Sequence, residues 1–132
     1  MLDKLSFKQT FGALEKAIGL TQRRHTVIAS NISNLETPGY AAKDIDFQTA
    51  LKDALQPDRG PSLAKTHSGH IDMGRGAVPS VEPFEEKAEW NGFNWVDTDR
   101  EIKKLIENNM IYRAATESLL RKITILREVI KG

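Results

Sequence analysis

Residues Phe7 to Leu35 read FKQTFGALEKAIGLTQRRHTVIASNISNL, and their spacing decides the fold class. Alternating steps of four and three pick out Phe7, Phe11, Leu14, Ile18, Thr21, His25, Ile28, Ile32 and Leu35. Seven of these nine are apolar over four heptads, which is the seam of a coiled-coil helix. Pro38-Gly39 ends it, because the residue before a proline leaves the α region and glycine admits a turn. The same rhythm returns through Ile102, Leu105, Asn109, Tyr112, Thr116, Leu119, Ile123, Leu126 and Ile130. Asp97-Thr98-Asp99 marks the start of this second helix, with Thr98 and Glu101 at capping-box spacing. Each seam is about 43 Å long at ~1.5 Å per residue.

The segment between the seams is of another kind. Residues 57–92 hold four of the five prolines and five of the nine glycines, but only five of the 33 Leu, Ile, Val and Phe. Such punctuation favours turns and loops and leaves little to bury. The expected fold is mainly α: two long terminal helices in a coiled-coil-like hairpin, joined by an irregular Gly/Pro-rich middle with room for short strands. The expected divisions are a helix over 1–36, a turn and extended segment over 37–50, an irregular or partly disordered middle over 51–95, and a helix over 96–132. Symmetry sets the expected hairpin register: Phe7 opposite Ile130, Thr21 opposite Thr116, His25 opposite Tyr112 and Leu35 opposite Ile102. Leu20, Val27, Ile106, Met110, Leu120, Ile125 and Val129 lie off both seams, so apolar surface remains that one hairpin cannot cover. Gly12 and Gly19, which weaken a lone helix, suit a close neighbouring backbone or a frayed end.

The 132 residues suit one domain, and 19 Lys+Arg against 18 Asp+Glu argue against a chain built to neutralise phosphates. Without cysteine there is no disulfide framework, thiolate metal site or cysteine nucleophile. No apolar run is long enough to span a bilayer, and Lys4, Lys8, Glu15 and Lys16 interrupt the first twenty residues, so no cleavable signal is expected. Phosphate-loop, zinc-protease, serine-hydrolase and dinucleotide fingerprints are missing, so no catalysis, cofactor, small-molecule substrate or nucleic acid is expected. His67-Ser-Gly-His70-Ile-Asp72 lacks a second cluster to close a metal site, and two solvated histidines are the simpler reading. His25 reads as an interface histidine. Asp44-Ile-Asp46-Phe47 reads as a short amphipathic strand or anchor rather than a pair of working carboxylates. Trp90 and Trp95, downstream of Glu82, Glu85, Glu86 and Glu89, read as packing against the second helix start.

The most specific stretch is Ala29-Ser-Asn-Ile-Ser-Asn-Leu-Glu-Thr-Pro-Gly-Tyr40. It resembles the A-x-N-[IL]-x-N-x-x-T-P-G-Y signature of flagellar rod, hook and hook-associated axial proteins. The continuation Asp44-Ile-Asp-Phe47 looks like the version found in proximal rod subunits. So does Asn94-Trp-Val-Asp-Thr-Asp-Arg-Glu101, with Glu107-Asn-Asn-Met and Tyr112 after it. Ser30 and Ser33 stand where alanine is commoner. The resemblance covers about 2–50 and 92–132 and implies a structural subunit of the basal-body proximal rod, helix-packed into the driveshaft. It implies as partners other rod subunits, the ring–rod junction protein and the flagellar type III export apparatus, with no membrane insertion. The implied place is the flagellar basal body, in the periplasmic space after export. The implied contact residues are Ala29, Asn31, Asn34, Thr37, Pro38, Gly39, Tyr40, Asp44, Asp46 and Phe47, where Asn31, Asn34 and Tyr40 suit a subunit contact better than a plain helix stop. Phe7-x-x-x-Phe11 resembles the short hydrophobic motif with which early export substrates engage the export gate, and the seam explains it equally. A soluble helical adaptor would share these seams but close into a small oligomer.

Overall fold

In the computed structural model, residues 2–56 and 81–132 are described. Helix α1 spans Leu2–Ser33 and helix α3 spans Thr98–Lys131; between them come strand β1 (Lys43–Asp44), helix α2 (Phe47–Leu55) and strand β2 (Phe84–Glu85). The protein is mainly helical, and its two long helices form an antiparallel hairpin. The Asn108 side chain donates to the Thr21 carbonyl at 2.8 Å, Asn31 donates to Glu101 at 2.9 Å, and the Lys122 ammonium sits 5.0 Å from the Phe7 ring centroid.

These contacts correct the register. Thr21 lies opposite Asn108, not Thr116, a slide of about 12 Å at ~1.5 Å per residue. The stripe that α3 turns inward also differs: Glu101, Lys104, Asn108 and Ala115 are buried, while Ile102, Tyr112, Ile123 and Leu126 are exposed. The cause lies at the start of α3. Asn94 bonds to the carbonyls of the turn just after α1, and the Trp95 N–H donates to the Tyr40 carbonyl at 2.9 Å, so α3 has to begin beside the end of α1. The pinned start brings Glu101 to Asn31 and turns the expected apolar seam partly away. Along α1, Ile28 is buried and Phe11, Leu14, Ile18 and Ile32 are half-buried; on α3, Leu105 and Leu119 are half-buried. His25 is exposed, off the interface where the heptads put it. Among the described residues a Cβ at Gly12 would meet nothing within 4 Å, so no described backbone approaches closely there.

Helix α2 replaces part of the extended and irregular stretches expected over 37–50 and 51–95. Asp46 starts it: its carboxylate accepts from the Thr49 N–H at 3.1 Å and the Thr49 hydroxyl at 2.7 Å. The strand expected at 44–47 is thereby limited to Lys43–Asp44, paired antiparallel with Phe84–Glu85. Helix α2 lies along α1, where Leu20, Ile45 and Ala50 form a small core flanked by Val27, Phe47, Leu51 and Val81. At its far end the Lys16 ammonium donates to the Ala54 carbonyl. The N-cap of α3 is Asp97, not Thr98, and its carboxylate accepts from the Asp99 N–H at 3.0 Å. Glu101 is thus released from a capping box to point inward.

Packing is concentrated at one end. The head comprises the C-terminal part of α1, the strand pair, α2, the 91–97 loop and the start of α3. The tail comprises the other ends of α1 and α3, side by side. Among the described residues the buried apolar side chains belong to Leu20, Ile28, Ala42, Ile45, Ala50, Val96 and Ala115, which fall in the head except Ala115.

Candidate functional site

The signature segment folds into the head as a hydrogen-bonded clasp. Asn31 is wholly buried, its amide N–H donating to the Lys43 carbonyl at 2.7 Å and to Glu101 Oε2 at 2.9 Å. Its Oδ1 accepts from the Lys43 N–H at 3.0 Å and from the Tyr40 hydroxyl at 3.3 Å. Asn34 closes the end of α1: its amide donates back to the Ser30 carbonyl at 2.7 Å, and its Oδ1 accepts from the Thr37 hydroxyl at 3.0 Å. Gly39, at φ 73°, takes the left-handed turn that brings Tyr40 back over the helix.

The second half of the clasp comes from residues 91–97. Asn91 accepts from the Phe93 and Asn94 N–H groups, both at 2.9 Å, and Gly92 at φ 97° completes the turn. This aims the fully buried Asn94 amide at the Leu35 carbonyl, 2.7 Å away, with the Asn34 and Thr37 carbonyls at 3.4 and 3.3 Å. An asparagine distant in sequence thereby holds the turn that follows α1. The Gly39 N–H to Phe93 carbonyl bond, 3.0 Å, lies alongside.

Charge holds the remaining faces together. The Lys104 ammonium is 2.7 Å from Glu101 and 2.9 Å from Glu86, with Arg100 at 3.7 Å from Glu86. Arg24 grips Asp44 through both carboxylate oxygens at 2.9 Å. Burial pushes the Asp44 carboxyl up, but the Arg24 hydrogen bonds, the Ile45 N–H and the nearby cations outweigh it and hold it below the usual carboxylate range. The guanidinium is raised in turn, mainly by its bond to Asp44. The exposed Asp46 is also lowered, by the Thr49 hydroxyl and N–H.

Of the residues named from the signature, Asn31 and Asp44 are buried in these bonds, Asn34, Tyr40 and Phe47 are half-buried, and Ala29, Thr37, Pro38, Gly39 and Asp46 are exposed. Asn31 is therefore spent inside the subunit rather than at its surface. Phe7 and Phe11 stack with centroids 6.2 Å apart, both half-buried. Trp90 and Trp95 touch each other at 4.4 Å, and both stay exposed. Glu86 and Asn94 are named in the sequence without these roles, and neither Lys104 nor the pairing of Arg24 with Asp44 is apparent there. Only Asn91-Gly92 ahead of Asn94 signals a turn; the charged partners are far apart in sequence. His67 and His70 lie outside the described residues.

No family model matches the chain. It is 32% identical to the flagellar basal body rod protein FlgB of Aeromonas hydrophila, over 97% of both chains. It is 33% identical to the Escherichia coli K12 protein of the same name, over all of this chain and 99% of the relative. The chain belongs to the FlgB family of flagellar rod proteins. A more distant relative, FlgB of Aquifex aeolicus, is 29% identical over 89% of this chain and 90% of its own. Membership in the FlgB family makes the chain a structural component of the flagellar basal-body rod, associated with other rod components. In FlgB-family terms, the clasp is where the two signature stretches meet: Ala29–Tyr40 at one end of the sequence and Asn94–Glu101 at the other.

Proposed function

We propose that the chain is a subunit of the proximal rod, built into the driveshaft by helix packing and working without catalysis or cofactor. The observation that carries this reading is the outer face of α3, where Ile106, Met110 and Leu120 are 56%, 67% and 58% exposed. A hairpin that leaves such residues in water is stabilised when neighbouring helices cover them. The partners in this reading are other rod subunits and the ring–rod junction protein, reached in the periplasmic space after export through the type III apparatus. Ala29, Thr37, Pro38, Gly39 and Asp46, the exposed part of the signature, contact those neighbours, with Tyr40 and Phe47 half-available beside them. Phe7 and Phe11 engage the export gate before the hairpin closes.

Basal bodies purified from cells making a tagged chain should carry the tag at the ring-proximal end of the rod. A tag found only in a soluble closed oligomer would sink the reading in favour of an adaptor. Replacing Phe7 and Phe11 with Ala should abolish secretion at unchanged cytoplasmic level; unimpaired secretion would remove the export role alone.

A further inference from the structure

The near-neutral chain is electrically two-ended. Residues 81–99 hold six Asp and Glu against one Lys, whereas residues 113–131 hold five Lys and Arg against two Glu. The first group lies on the head, where Asn94 holds the turn after α1; the second occupies the opposite end of the hairpin. Glu82, Glu85 and Glu89 are exposed, and none has an ion-pair partner among the described residues. Exposed Phe84 and Trp90 sit among them. On the tail, Arg113, Leu120, Arg127 and Lys131 recur at steps of seven, seven and four on one exposed face of α3, with Glu117 and Glu128 to one side. That basic face runs about 27 Å at ~1.5 Å per residue. The acidic run reaches at most about 23 Å at ~3.3 Å per residue.

We propose, resting on the rod reading, that the occupant of the basic α3 tail is the acidic, aromatic head edge of a second copy of this chain. The charges match across such a contact, Leu120 meets an apolar ring, and an arginine can lie over Trp90. Head against head would set glutamates together, and tail against tail would set arginines together. Because the two surfaces differ, the contact is heterologous and repeats without closing, giving stacking along one direction.

Charge reversal tests this on the full-length chain, with circular dichroism confirming that each variant stays helical. The head variant E82K/E85K/E89K and the tail variant R113E/R127E/K131E should each weaken self-association at low salt by about tenfold or more, read by sedimentation velocity. Mixing the two should restore association. The six-fold variant should associate with itself and fail to join the wild-type chain, since its head and tail are both inverted. Wild-type assembly should weaken steeply in about 1 M salt, where the screening length is ~3 Å. Unchanged association in either triple variant, or mass growth that stops at a dimer, overturns the proposal. Rod membership is read separately, by whether the wild-type chain restores swimming to cells lacking their own subunit. Swimming restored with association indifferent to charge rejects this contact and leaves the rod reading standing.

Discussion

Asn31 joins three segments at one point: α1, which carries it, the strand residue Lys43, and α3 through Glu101. Asn31→Ala would leave the part-buried Lys43 N–H and one buried Glu101 oxygen without this partner, and a buried group left so costs about 1–3 kcal/mol. A urea midpoint reduced to match about 2–3 kcal/mol is expected, and an unchanged midpoint would show that the clasp is ornamental. Asp44 sets the acid limit of the head. Its carboxyl is lowered in the folded chain, so the stabilisation is complete above the unfolded value of about 4 and is lost as pH falls through the folded value. Thermal stability should hold between about pH 7 and pH 5 and fall below about pH 4, with a flatter acid limb in Asp44→Asn. An acid limb equally steep in that variant would assign the loss to other carboxylates. The signature made Asn31 and Asp44 visible as special positions. Their partners were hidden, because nothing local in a sequence says that an amide at position 31 meets a carboxylate at position 101.

At the scale of elements, periodicity located both long helices, while the faces that meet escaped it. Heptad phase favoured Ile102, Leu105, Tyr112 and Leu119 as the inner stripe of α3, but the helix turns Glu101, Lys104 and Asn108 inward instead. Apolar spacing ranks faces by hydrophobicity alone, and here the pinned loop at Asn94 and Trp95 outweighs it. Helix α2 was overlooked for a related reason: alternation over residues 44–47 resembles a strand, whereas the Asp46–Thr49 cap starts a helix one residue later. The register gives a direct check. Cysteines at positions 21 and 108 should form a disulfide under mild oxidation, because the Asn108 amide reaches the Thr21 carbonyl. Cysteines at 21 and 116 should stay free; cross-linking of that second pair in preference would restore the symmetric register.

Across the whole molecule, order is distributed unevenly. The head joins a small apolar core to the Asn31, Asn94 and Lys104 networks, so opening it exposes many buried groups at once. In the tail, Phe11, Leu14, Ile18 and Leu119 are only half-buried, and Leu120, Ile125 and Val129 are exposed. Local opening free energy follows such burial, so amide exchange in the isolated chain should be slowest around Leu20–Ile28 and Glu101–Asn108 and fast over 113–131. Apolar area covered by neighbours then adds stability where the monomer has least, at about 25 cal/mol per Å². On assembly the tail amides should therefore slow far more than the head amides, and helical circular dichroism should rise as the tail orders. Uniform protection along α1 and α3 in a monomer would mean that the hairpin completes itself, and that its exposed leucines and isoleucines serve something other than building a rod.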